Sequence, residues 1–222
     1  MTSASPQTIT LEMIRRSLTV AAVCDALDQL TLGRHSPRVP LRPLTGCEKL
    51  AGRVKTTRWE DLDGQDPRPY ELELRAVDDC RPDDVLVCAA GGSMRSGIWG
   101  ELLSTAAGNR GCVGTIVDGA VRDVAQMTAM GFACFARGTC PLDSQHRQRV
   151  VQIDAVVQID GVRFTPGELV IADVDGVVVV PSAAEEDVLR RAWQKVHDEN
   201  QVRDAIRAGM NAGQAYERYG VL

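Results

Sequence analysis

Lysine is almost missing from this 222-residue chain: Lys49, Lys55 and Lys195 stand against 22 arginines. Any lysine Schiff base would have to come from one of those three. Histidine is as sparse. His35, His146 and His197 share no metal-ligand spacing such as HExxH, which argues against a histidine-rich zinc site. The seven cysteines, Cys24, Cys47, Cys80, Cys88, Cys112, Cys134 and Cys140, form no CxxC, and several sit inside apolar segments as small core side chains do. Their odd number and placement point to a reducing cytoplasm instead of a disulfide framework. No apolar run reaches the length of a membrane span. The opening MTSASPQTIT lacks both the apolar stretch of a secretory signal and the arginines of a transit peptide. Basic runs and an aromatic RNA-recognition motif are also missing, and the net charge is −5, so neither nucleic acid nor a membrane is an expected partner. GxxxxGK[ST], GxGxxG and GxSxG do not occur, which removes a P-loop, a Rossmann fingerprint and a nucleophile elbow.

What is present is an ordinary apolar fraction of 44%, enough for one substantial core. The pattern reads as a single domain over 1–222 with its core at about 10–208. Residues 8–18 and 20–31 read as short helices, the second capped by Thr19 and followed by Gly33. Pro37, Pro40 and Pro43 make 34–48 an extended loop. LAGRVKTTRW reads as a strand, DLDGQDPRP as a surface turn and YELELRAVDDC as a helix. Strand and helix then alternate: DVLVCAA (84–90), a helix over 96–109, GCVGTIVD (111–118), a helix over 121–131, and FACFARG (132–138). That alternation predicts βαβ units and a parallel sheet. A strand-rich block over 150–181 and a long helix over about 182–208 complete the chain. Leu189, Trp193 and Val196 give that helix a packing stripe. The expected class is α/β: a mixed, largely parallel central sheet flanked by helices in a sandwich-like α/β/α arrangement, with N-terminal helices and a long C-terminal one.

In such a sheet, ligands sit outside the carboxyl ends of the strands. Two connections leave those ends, GGSMRSG (91–97) and DGAVRD (118–123). If their strands are neighbours, both loops open onto one crevice. The glycine-rich loop reads first as a tight turn with a cap, with an anion cradle at a helix start as the alternative. Arg122 and Asp123 are consecutive, and adjacent side chains on a helical turn diverge. Two readings fit them. Asp123 is an acidic first-turn residue beside a solvated arginine, or the pair flanks a third object, the arginine fork holding a carboxylate or polarised oxygen and the aspartate a hard cation. Asp173 and Asp175 read as builders of the turn at Gly176.

GGSMRSGIWGELLSTAAGNRGCVGTIVDGAVRD, MGFACFARGTCPLDS and PGELVIADVDGVVVVP, with VCDALDQL nearer the start, resemble one family over roughly residues 10–200. It is the regulator of ribonuclease activity A family, which includes 4-hydroxy-4-methyl-2-oxoglutarate aldolases and oxaloacetate decarboxylases. The resemblance implies a lyase using Mg2+ or Mn2+ to cleave a 4-hydroxy-2-oxo acid to pyruvate. Asp123 is then the metal ligand and Arg122 holds the keto oxygen region. Gly100, Leu102 and Leu103 form a helix start whose leucine amides take the substrate carboxylate. Glu101 stands at the acidic position that orders a water for proton transfer, with Glu where many members have Asp. These roles need the helix to begin near Gly100, later than the pattern start at Ser96. Arg95 is the candidate for a distal substrate carboxylate. The resemblance further implies a homotrimer or dimer of trimers with the site at a subunit interface, where Asp198 or Glu199 of a neighbour could approach. Its other branch implies a regulator that docks on an RNA-degradation enzyme. A lyase or hydratase for another 2-oxo or sugar acid is the third alternative.

Overall fold

The computed structural model describes residues 8–220, so the reading made on MTSASPQ lies outside the described residues. Two N-terminal helices, α1 (Leu11–Ser17) and α2 (Val20–Gln29), start where the Thr10 and Thr19 hydroxyls accept from the amides of Met13 and Ala22. There follow β1 (Arg42–Pro43), β2 (Lys49–Asp61), α3 (Glu71–Asp78), β3 (Asp84–Ala89), α4 (Glu101–Asn109), β4 (Gly114–Val121), α5 (Val124–Ala129) and β5 (Ala133–Thr139). The strand-rich block resolves into β6 (Gln148–Ile153), β7 (Val157–Ile159), β8 (Val162–Phe164), β9 (Leu169–Asp173) and β10 (Gly176–Val180). The long α6 (Glu185–Arg207) and a short α7 (Ala212–Tyr219) come last.

The main sheet runs β1-β5-β4-β3-β2-β9-β10, with β6 also paired to β2. Its centre, β5-β4-β3-β2, is parallel. The flanking strands β1, β6, β9 and β10 are antiparallel, so the sheet is mixed. One face buries Leu86, Cys88, Val117 and Cys134 under α3, α4 and α5 through Ala76, Ala107 and Met127. On the other face the sheet curls. Val85, Val87, Ile116 and Phe135 of the centre share a core with Val170 and Val177 of the antiparallel wing, closed by Ile159 and Phe164 of the β7–β8 ribbon. A third core joins α1, α2 and α6 to Ile171 and Val178, and the expected stripe of Leu189, Trp193 and Val196 packs there.

Several boundaries differ from the sequence pattern. Residues 96–100 are not helical: α4 starts at Glu101 with Gly100 as its cap. SGIW is apolar enough to suggest a helix, but the Gly97 amide donates to the Leu142 carbonyl and that of Ile98 to Ala120. Strand β4 continues through Val121, three residues beyond the expected end, with a register irregularity between Val117 and Ala120. The long helix begins at Glu185 after a 3-10 turn over Ser182–Ala184. Helix α7 was not expected, although Asn211 caps it and Gly220 ends it at φ 72°.

Asp173 does more than build a turn. Its Oδ1 accepts from Asp175, as expected, while its buried Oδ2 accepts from the Val20 amide at 2.8 Å and so caps α2. Replacing Asp173 with Ala leaves that amide without its partner and should lower stability by about 1–3 kcal/mol. Urea denaturation measures this, and an unchanged midpoint would remove the capping role.

Candidate functional site

Strands β3 and β4 are parallel neighbours, so the connections leaving their carboxyl ends meet as expected. They meet more tightly than the spacing implied. Residues 97–100 run as a short extra rung between the end of β4 and the β5–β6 loop. Gly97 bridges both Ala120 and Asp143, the Ile98 amide donates to Ala120, and the Arg122 amide donates to the Trp99 carbonyl at 2.8 Å. Glycine is required for this approach. A Cβ on Gly97 would lie 2.5 Å from the Cys140 carbonyl oxygen, and one on Gly100 would lie 2.5 Å from Asp123 Oδ2. Trp99, buried and stacked on Phe132, donates to Ser104 Oγ, which itself donates to the Gly100 carbonyl. This locks the first turn of α4 against the rung.

Asp123 sits in the left-handed region at φ 57° as the cap residue of α5. That turn corrects the expectation that Arg122 and Asp123 diverge. The Asp123 carboxylate swings back to 3.6 Å from Arg122 Nε, and its Oδ2 accepts the Glu101 amide at 3.3 Å. Gly100, the cap residue of α4, makes no side-chain bond to the first turn, and the second and third amides of a helix have no intrahelical acceptor. The Leu102 and Leu103 amides are therefore open beside Asp123. These residues, with Gly100, Arg122 and Asp123, line one cavity of about 280 Å³. Glu101 and Arg95 do not line it. Glu101 Oε1 accepts from Thr105 along its own helix, and Arg95 turns to Asp61 and Asp63 at 3.7 and 3.6 Å. None of the three lysines lines it either. Lys55 is bound to both oxygens of Asp154, and Lys195 to Asp25. Glu199 lies on α6 beside Lys195 and Arg203, and Asp198 accepts from Gln194.

Three ionisable residues of the cavity escaped the sequence reading: Tyr70, Glu73 and Asp143. Arg122 makes its closest ion pair with Asp143, at 2.7 Å, and the Tyr70 hydroxyl donates to the other Asp143 oxygen at 2.5 Å. Burial works to raise the Asp143 carboxyl, but Tyr70, the Gln145 amide and Arg122 outweigh it and hold the group below the usual range. Tyr70 is pushed up to about 12 by burial and by the Asp143 charge. Glu73 is 8% exposed and pushed up to about 8, first by burial and then by Asp143, against Ser144 and Arg122. No local signal gives these residues a role. ELEL reads as part of an ordinary helix, Asp143 lies in the segment MGFACFARGTCPLDS without a role of its own, and only the fold brings them to Arg122.

Among the described residues no three His, Cys, Asp or Glu side chains gather into a metal-holding group. The donors present still suit a hard cation of the Mg2+ type, which needs only one or two carboxylates beside waters and substrate oxygens. Asp123 offers a half-exposed carboxylate in a cradle that a Cβ on Gly100 would fill.

Glu73 also makes stability depend on pH. Its carboxyl titrates near 8 in the fold against an ordinary 4.5, so between those values the folded state holds the extra proton. Stability contributed by this group therefore falls as pH rises from about 4.5 to about 8. Glu73→Gln should match the wild type near pH 4.5 and exceed it at about pH 9, in urea denaturation, by up to a few kcal/mol. A difference that does not change with pH would contradict this.

Comparison with known proteins identifies the family. A family model described as RraA-like, Aldolase/RraA, matches residues 20–179. A protein of Halalkalibacterium halodurans named "Putative 4-hydroxy-4-methyl-2-oxoglutarate aldolase" is 30% identical over 201 residues, 90% of each chain. One of the same name from Albidiferax ferrireducens is 32% identical over 165 residues, 73% of this chain and 95% of that one. The crystal structure of Streptomyces coelicolor RraAS2, described as an unusual member of the RNase ES inhibitor RraA protein family, superposes with a TM-score of 0.76 at 27% identity, covering 91% of this chain and 99% of that one. An uncharacterised Pseudomonas syringae protein shares the fold at a TM-score of 0.81 and 24% identity over 92% of this chain and 95% of its own. With the family model spanning well over half of its length, the chain belongs to the RraA-like family.

Proposed function

We propose that this protein is a divalent-metal-dependent carbon–carbon lyase that cleaves a 4-hydroxy-2-oxo acid, such as 4-hydroxy-4-methyl-2-oxoglutarate, to pyruvate and a second carbonyl fragment. The observation that carries the reading is the convergence of Asp123, Arg122 and the open amides of Leu102 and Leu103 on one cavity. The names of the aldolase relatives support it.

The amides at the start of α4 take the C1 carboxylate, where backbone N–H groups and the helix dipole both favour an anion. Arg122, steadied by Asp143, turns its guanidinium to the 2-keto oxygen and stabilises negative charge as it develops there. Asp123 would hold Mg2+ or Mn2+, which when bound supplies Lewis acidity toward the same oxygen and stabilises an enolate. Glu101 moves the proton: released from Thr105 and reaching through a water, it accepts the C4 hydroxyl proton and later returns one to C3. Oxaloacetate decarboxylation needs the same enolate stabilisation without the hydroxyl base, so it is the expected side activity.

The exposed apolar side chains Leu102 (76%) and Leu74 (52%) at the cavity wall support a trimer or dimer of trimers whose neighbouring copy covers the site. A second reading, a regulator docking on an RNA-degradation enzyme, is favoured by the likeness to RraAS2. The retained Arg122–Asp123 pair and the open amides favour the enzyme.

Purified protein with Mg2+ and 4-hydroxy-4-methyl-2-oxoglutarate or oxaloacetate should release pyruvate, and EDTA should stop it. Asp123→Ala should lose the metal-dependent turnover. Arg122→Lys keeps the charge but loses the fork and should slow kcat/KM by about 100-fold or more. Pyruvate from neither substrate would reject the enzyme reading, and wild-type kinetics for either variant would reject that residue's role.

A further inference from the structure

Cys80 and Cys112 lie at the end of the sheet opposite the candidate site, one leading into β3 and the other into β4. The backbone holds their two segments together. The Asp83 amide donates to the Gly111 carbonyl at 2.9 Å, and the Val113 amide to the Asp84 carbonyl at 2.8 Å. Gly111 packs so closely on Pro82 that a Cβ there would lie 2.8 Å from the Pro82 Cα. Both cysteine side chains enter the core that the sheet shares with α3 and α4, and there the two thiols hydrogen-bond each other. Each also has a carbonyl within reach, Ala76 at 3.5 Å for Cys80 and Gly114 at 3.3 Å for Cys112. Both are free thiols.

The pair is not sealed in. Cys80 lines a hollow of about 710 Å³ together with Lys55, Arg81, Asp84 and Asp154, so a small polar oxidant has a way to the two sulfurs. The thiols also differ in character. The hydrogen bond from Cys80 holds the Cys112 thiol below its ordinary value, against the burial that works to raise it. The same bond, and then burial, push Cys80 far up. A thiolate is the nucleophile in oxidation, and a protonated thiol beside it serves as the resolving group.

We propose that Cys80 and Cys112 form a reversible dithiol–disulfide site, oxidised by hydrogen peroxide and restored by an external dithiol. The Cys112 thiolate attacks one peroxide oxygen and becomes a sulfenic acid. The hydroxide released recovers the proton that Cys112 gave up and leaves as water. The Cys80 sulfur then displaces the sulfenic hydroxyl and closes the S–S bond, its own proton leaving with that hydroxyl as a second water. The two thiols give up two electrons, and the peroxide takes them. The bond closes a loop that holds β3 and α4, so oxidation tethers the helix whose first turn faces the candidate site.

The test exposes the folded full chain to hydrogen peroxide, removes the excess with catalase, and alkylates the remaining thiols in denaturant. Mass spectrometry of the peptides then identifies every linked and every alkylated cysteine over a time course. A Cys80–Cys112 link should appear ahead of any modification of Cys47 and Cys140, although those two are more exposed. Dithiothreitol should return both cysteines to the alkylated form. In Cys80→Ser the link should be lost and Cys112 trapped by dimedone as its sulfenic acid, with circular dichroism checking that the variant is folded. The wild-type time course decides the matter even if that variant does not fold. Cys80 and Cys112 that both stay alkylatable while Cys47 or Cys140 is consumed would overturn the proposal. A link from either one to a different cysteine would overturn it as well.

Discussion

Two backbone hydrogen bonds, Ile98 to Ala120 and Arg122 to Trp99, hold the site of this protein together. They bind the connection after β3 to the end of β4 as if it were one more strand, so α4 cannot begin before Glu101. That single constraint has three consequences. It frees the Leu102 and Leu103 amides from any upstream helical turn. It brings the Glu101 amide onto Asp123 Oδ2 at 3.3 Å. It also forces Asp123 into a left-handed turn immediately after the rung ends. Gly97 and Gly100 make the approach possible, because a side chain at either would collide with the opposite segment. The glycines matter less for turning the chain than for the distance they allow between two segments.

Around that rung the charges are arranged unevenly. One arginine faces Asp123, Asp143 and the buried Glu73, with Tyr70 bracing Asp143 from the far side. An arginine fixed by a carboxylate behind it presents its remaining N–H groups in a set direction, which suits a planar oxo acid better than a mobile lysine would. Burial keeps Glu73 protonated near neutral pH.

Much of the architecture was legible in the residues. The alternation from Asp84 to Gly138 announced parallel βαβ units, and Thr19 announced the start of α2. Arg122 and Asp123 stood out because they follow a buried strand, and the resemblance to a known family drew Gly100, Leu102 and Leu103 to the same place. Two features were hidden for physical reasons. Ile98 and Trp99 are apolar at helical spacing from Leu102, so local pattern favoured a helix that the tertiary hydrogen bonds to Ala120 and Leu142 override. Tyr70 and Glu73 lie about 50 positions before Arg122 and Asp143 lies 21 after it, and no local pattern ties the three to that arginine. Arg95 shows the opposite error: a plausible charge in a promising loop, spent on Asp61 and Asp63 outside the cavity.

In the proposed reaction Arg122 and Asp123 stabilise an enolate derived from pyruvate, whatever fragment once accompanied it. Proton exchange tests this without knowledge of the natural substrate. Pyruvate incubated with the protein and Mg2+ in D2O should lose its methyl signal in proton NMR as deuterium enters C3. The loss should cease with EDTA and slow sharply in Arg122→Lys. A methyl signal that decays no faster with protein than without it would contradict the assignment of this site to enolate chemistry.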